Sequence, residues 1–260
     1  MIVNGNKSGG GVDYASPPQI SFDGKWSGWH IEVYKGEPYW EALFSSSGTL
    51  VSLANYTADL WGIGGGGAGS YVNFGGYLYG FGGGSGYTNM VENTAILPGG
   101  HVVTIGAGGG SGANGSGGNR AEPGGQTVFL TLTCSGGQGG LSNEGNYHNV
   151  SEAPAAPGGS NGGKTNIDAG ENGSPGAGKI MSKFWSVEHN YEYGSKGLRY
   201  SSNGGDGGGG GGYMNVGNSS SYGGAGYGGG GSGTSNYGSK ANLIRGHGNS
   251  GCLIIRIKAA

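Results

Sequence analysis

Along this chain short apolar runs alternate with blocks of glycine, and the runs carry the period of strands rather than helices. The alternation Trp29-His30-Ile31-Glu32-Val33-Tyr34 predicts a half-buried strand, and Lys35-Gly36-Glu37-Pro38 supplies a turn. Tyr39-Trp40-Glu41-Ala42-Leu43-Phe44 then completes an N-terminal hairpin. Residues 48–53, 56–63, 101–105, 127–134 and 253–258 read as further strands set between the glycine blocks. No helical period of useful length occurs, and only residues 179–188 have the pattern of a short helix.

Glycine accounts for 69 of the 260 residues and comes in uninterrupted blocks, as at residues 207–212. Ordering each one costs about 0.5–1 kcal/mol more than ordering an alanine, so the blocks either stay disordered or are compensated by something specific. Collagen is excluded, because only 8 prolines are present and Gly64-Gly65-Gly66-Gly67 breaks any every-third register. A flexible linker is excluded by the interleaved strands. Polyproline II packing remains: a hydrogen in place of a side chain lets backbones approach closely enough for N–H···O=C bonds between segments, with Cα–H···O contacts in support. The expected fold is therefore all-β, with β-sandwich-like sheets, a packed polyglycine II bundle and aromatic-polar loops. Residues 1–45 are expected to form an N-terminal β-hairpin module and residues 46–260 a glycine-rich domain.

Charged residues are only 11% of the chain, against about 25% in ordinary proteins, and 13 basic against 15 acidic side chains give a net charge of −2. That balance offers no footprint for nucleic acid. No apolar run reaches the roughly 18 residues of a membrane span, and Met1-Ile2-Val3-Asn4-Gly5 lacks the basic and apolar stretches of a secretory signal, so a soluble chain made in the cytosol is expected. Cys134 and Cys252 each sit in an apolar run and are expected as buried thiols, with a disulfide the minority reading.

Two nucleotide motifs match and fail. Gly62, Gly64 and Gly67 satisfy the dinucleotide fingerprint after a credible strand, but the residues that follow, Ala68-Gly69-Ser70-Tyr71-Val72, do not begin a helix. Gly158, Gly163, Lys164 and Thr165 fit the phosphate-loop pattern, yet neither a strand leads in nor a helix out. The histidines His30, His101, His148, His189 and His247 have no metal-ligand spacing, and Glu188-His189 with Glu192 has no nucleophile beside it. No metal, no cofactor and no enzyme activity are expected.

Tyr, Ser, Gly and Asn dominate the insertions at residues 71–81, 147–157, 179–202 and 213–237. That mixture makes good binding loops, because tyrosine offers wide amphipathic contact with few rotors while the small polar residues adapt. The candidate binding residues in these loops are Tyr77, Tyr79, Phe81, Phe184, Trp185, Tyr191, Tyr193, Tyr200, Tyr213, Tyr222 and Tyr227.

Residues 48–63 leading into a glycine block, then 98–108, 126–137, 202–212 and Gly251-Cys252-Leu253-Ile254-Ile255-Arg256, resemble in order the glycine-rich domain of tail-associated proteins of phages and prophages. The resemblance covers about residues 45–260. The chain is similar also to distal tail-fibre adhesins, in which an attachment module precedes polyglycine II helices whose loops recognise the host. The glycine-rich domain of anaplastic lymphoma kinase is similar in architecture only, as no kinase motif is present. The resemblance implies a receptor-binding adhesin on the phage tail, made in the bacterial host cytoplasm. It would take a host surface carbohydrate or protein as receptor and other tail proteins as partners through residues 1–45. The alternative is a structural fibre cap or baseplate decoration protein. Ice binding is a weaker third reading, since Trp185, Tyr191 and Tyr193 suit a flat ice-matching face poorly.

Overall fold

The computed structural model describes residues 15–34, 36–74, 77–81, 83–110, 114–115, 121–140, 227–231 and 247–259. The expected helix at 179–188, the phosphate-loop match at 158–165 and the glycine block at 207–212 lie outside the described residues. Within them the fold is all-β. The strands are β1 (Ile20–Phe22), β2 (His30–Tyr34), β3 (Glu37–Phe44), β4 (Gly48–Ser52), β5 (Tyr56–Ile63), β6 (Ser70–Phe74) and β7 (Tyr77–Phe81). They continue with β8 (Thr88–Ile96), β9 (Gly99–Thr104), β10 (Asn114–Gly115), β11 (Thr127–Phe129), β12 (Leu132–Cys134) and β13 (Cys252–Lys258).

Two five-stranded antiparallel sheets, in the orders β1-β4-β9-β11-β12 and β2-β3-β13-β5-β8, share one core. The alternation along β4, β5 and β13 explains which residues fill it. Leu50, Val103, Phe129 and Leu132 come from the first sheet, and Ala58, Leu60, Leu253 and Ile255 from the second. Aromatic residues of the N-terminal stretch close one side. Trp26 stacks on Phe44 with centroids 5.5 Å apart, Phe22 meets Phe44 edge-on at 5.0 Å, and Trp29 stands edge-on to Trp26. The β2–β3 hairpin forms one edge of the second sheet, and its turn uses Gly36 at φ +82°, a conformation open to glycine at no steric cost.

The outward face of the second sheet is also built. At one end Trp61, Ile63, Cys252 and Ile254 are buried with Leu43, Met90 and Tyr227 against them. Farther along, β13 brings Arg256 opposite Glu41 of β3 and Asp59 of β5. Its guanidinium donates to Asp59 Oδ2 at 3.0 Å and lies 4.9 and 4.6 Å from the rings of Tyr34 and Tyr39. Asp59 Oδ1 in turn accepts the Asn93 N–H, where the β5–β8 ladder shifts register and Asn93 adopts φ 55°.

One strand expectation needs correction. Residues 127–134 are not a single strand but β11 and β12, a tight hairpin turning at Leu130, which takes φ 49°. A continuous apolar run conceals such a turn, because Phe129 and Leu132 both face the core while Leu130 bends outward. Strands β8, β6, β7, β10 and the short β1 join those read from the sequence.

Candidate functional site

Beyond the sandwich the glycine blocks organise themselves through their own backbones. Residues 64–69 sit at the centre of six other segments: 83–87, 106–110, 121–125, 135–140, 227–231 and 247–251. Central donors address their neighbours in a threefold rotation. Gly64 and Gly67 donate to Tyr87 and Gly84, Gly65 and Ala68 to Gly125 and Glu122, and Gly66 to Asn249. The central carbonyls of Gly65 and Ala68 accept from Gly137 and Gly140, that of Gly66 from Gly109, and that of Gly67 from Gly231.

The six outer segments also bond to one another, closing a ring in the order 83–87, 135–140, 121–125, 106–110, 247–251, 227–231 and back to 83–87. Representative links are Gly84 to Gln138, Gly124 to Gly137, Gly125 to Ala107, Gly248 to Gly109, Gly228 to Ser250 and Gly86 to Gly228. Donor–acceptor distances in this lattice run from 2.7 to 3.1 Å. Buried backbone polar groups are costly unless paired, and these are paired laterally.

Glycine is obligatory where the backbones meet. A Cβ on Gly65 would strike the Ala107 carbonyl, on Gly66 the Gly229 carbonyl, and on Gly67 the Gln138 carbonyl. Gly228 adds a second demand, since it holds φ +73° and its Cβ would collide with Ile63.

One end of the lattice is fused to the sandwich. β5, β9 and β12 feed segments outward, whereas 83–87, 121–125 and 247–251 feed β8, β11 and β13. Thr127 rivets the junction: its hydroxyl donates to the Ile63 carbonyl at 2.8 Å and accepts the Gly106 N–H at 3.0 Å, while Gly251 N–H donates to the Gly106 carbonyl. At the remote end the Glu122 carboxylate accepts the Gly110 N–H at 3.0 Å. There β6 and β7 form a hairpin joining the ends of 64–69 and 83–87, and β10, between 110 and 121, pairs in parallel with β6. Gly140 and Gly231 also stand at this end.

Of the expected receptor-binding residues, Tyr77, Tyr79 and Phe81 lie on β7 in this remote hairpin. Tyr227 lies at the opposite end of the lattice, packed part-buried against Trp61, Ile63, Cys252 and Ile254. Phe184, Trp185, Tyr191, Tyr193, Tyr200, Tyr213 and Tyr222 lie outside the described residues. Sequence reading treated 71–81 as a loop insertion and missed its hairpin. The signal was there, in two alternating runs separated by Gly75-Gly76.

The fingerprint glycines Gly64 and Gly67 have their amides committed to carbonyls of the lattice, and a strand, β6, follows them rather than a helix. Among the described residues no group of three His, Cys, Asp or Glu is placed to hold a metal ion, and no helix is long and apolar enough to cross a membrane. Cys134 and Cys252 are buried free thiols. Burial pushes the Cys134 thiol up from 9.0 to about 12, against a smaller lowering by the Asn89 backbone. It raises Cys252 well above the ordinary range, with Cys134 adding to the rise. Both are therefore poor nucleophiles in the folded chain.

No curated protein matches the chain. A model described as a glycine-rich domain matches residues 45–258, which takes in the whole lattice and the sandwich strands from β4 to β13. With most of its length matched in this way, the chain belongs to that glycine-rich domain family.

Proposed function

We propose that this protein is the receptor-binding adhesin of a phage tail fibre, carried on the virion after synthesis in the bacterial cytoplasm. In this reading the glycine segments are polyglycine II helices. What supports that conformation is the threefold rotation of donors along residues 64–68, the recurrence expected of three residues per turn. The function is non-catalytic. A rigid lattice holds aromatic and polar loops at fixed spacing, and these engage a carbohydrate or protein on the host surface. Residues 1–45 attach the chain to other tail proteins, and several fibres per particle multiply weak single contacts.

The observation that carries the reading is the division of labour between the two ends of the lattice. One end merges with the sandwich through Thr127 and Gly251, while the other releases the β6–β7 hairpin and the chain leading into the aromatic-rich residues 141–226. Fluorescently tagged protein should label host cells, and Trp185→Ala with Tyr191→Ala should weaken that labelling about thirtyfold or more at unchanged melting temperature. If the intact protein leaves cells unlabelled while its copy number per particle follows tail symmetry, the chain is instead a structural cap or decoration protein.

A further inference from the structure

β3 and β5 do not pair with each other in the second sheet. Each pairs with β13, through Leu253↔Phe44 to Lys258↔Tyr39 on one side and Cys252↔Ile63 to Ile257↔Ala58 on the other. Without β13 the sheet falls into two unconnected pairs, β2–β3 and β5–β8. The lattice has the same dependence on the residues just before it. Segment 247–251 is the link between 106–110 and 227–231 in the ring, and its Asn249 carbonyl is the acceptor for Gly66 at the centre. The first sheet, by contrast, is complete within residues 20–134.

We infer that residues 248–258 are the closing element of both regions, so that the second sheet and the glycine lattice open and close as one cooperative unit through this single segment. Gly251 and Cys252 are consecutive, with no slack between the last lattice residue and the first strand residue. Gly251 N–H is bonded to the Gly106 carbonyl, and Cys252 is wholly buried. Any opening that withdraws β13 therefore pulls Gly248, Asn249 and Gly251 from their partners. It also follows that β3 and β5, which precede it by some 190 to 210 residues of chain, must wait with their facing edges unfilled until this segment docks.

Residue-resolved native-state hydrogen exchange on the whole chain tests the coupling. The amides of Leu253 to Ile257 and those of Gly66, Gly109, Gly228 and Asn249 should share one opening equilibrium. Ile255→Ala, which hollows the core face of β13, should speed exchange in both sets by a common factor of about thirty or more. Should that variant fail to fold, Ile255→Val applies the same test with a smaller common factor. Reciprocally, Gly248→Ala, whose Cβ would meet the Gly66 carbonyl, should speed exchange along β13. A lattice that keeps its protection while β13 loses it, or a β13 indifferent to Gly248→Ala, overturns the inference.

Discussion

The sandwich and the glycine lattice solve the same problem with opposite materials. In the sandwich, backbones stand about 10 Å apart across the core and the space is filled by Phe44, Leu50, Leu60, Phe129 and Leu253, so cohesion scales with apolar area removed from water. In the lattice there is no space to fill. Cohesion comes from amide–carbonyl bonds and close backbone contact, each net bond contributing about 0.5–1.5 kcal/mol, and any side chain directed at a neighbour is an obstruction. One region is damaged by taking atoms away and the other by adding them.

Truncation in the sandwich should have the largest effect. Phe44→Ala removes a fully buried ring that touches Phe22 and Trp26, and should cost about 3–5 kcal/mol in denaturant unfolding. Adding one methyl in the lattice comes next: Gly66→Ala should cost about 1–3 kcal/mol by overpacking. Its control is Gly100→Ala in β9, where a Cβ meets nothing closer than the Thr49 methyl at 3.6 Å, and a change within about 0.5 kcal/mol is expected. Equal effects at Gly66 and Gly100 would erase the distinction between the two regions.

The thiols sharpen the comparison where the regions meet. Their folded values are raised, so the protonated form is favoured in the folded chain and the unfolded chain ionises first. Stability is thus intact below the unfolded thiol value and falls as pH rises from there, toward about 12 for Cys134, with Cys252 shifted in the same direction. One pH unit above the unfolded value the loss should be on the order of 1 kcal/mol per thiol, and Cys134→Ala with Cys252→Ala should remove that part of the pH slope. A slope identical in the double variant contradicts the burial of these groups. The smallest effect belongs to the exposed Lys258–Glu37 pair at 2.9 Å. Hydrogen bonding and charge from Glu37 raise the Lys258 value, so its contribution is present below the ordinary lysine range and lost as pH rises through the raised one. Glu37→Gln should leave the melting temperature at pH 7 unchanged within error.

Much of the sandwich was legible because side chains write it. The alternation in residues 56–63 gives β5 to the residue, and the run at 253–258 gives all but the first residue of β13. β8 escaped notice because it is an edge strand, exposed over much of Thr88–Ile96, and its sequence has no clean period of two. The parallel pairing of Asn114 and Gly115 with β6 also left no sign, since two residues carry no pattern.

The glycine blocks announced close backbone packing, but nothing in them says which block neighbours which. Partner choice normally rests on complementary side chains, and a run such as Gly64-Gly65-Gly66-Gly67 has none; five of the six outer segments adjoin a strand of the sandwich, which restricts the order in which they can pack. Of the expected receptor-binding residues, Tyr77, Tyr79 and Phe81 lie in one connection between glycine blocks, whose sequence did not reveal that it is a hairpin. Tyr227, an aromatic within a polar, glycine-rich stretch, packs part-buried against the cluster of Trp61 and Ile63.

The threefold rotation of donors along residues 64–68 has a bearing on how such a chain can change length over generations. Gly64 and Gly67 address the same neighbour, as do Gly65 and Ala68. Inserting three residues into a segment returns every later amide to the neighbour it faced before. Inserting one or two turns each of them toward a neighbour whose carbonyls are already taken. Lineages that lengthen or shorten this scaffold should therefore do so in triplets, while the connections at its remote end drift in length without any such arithmetic.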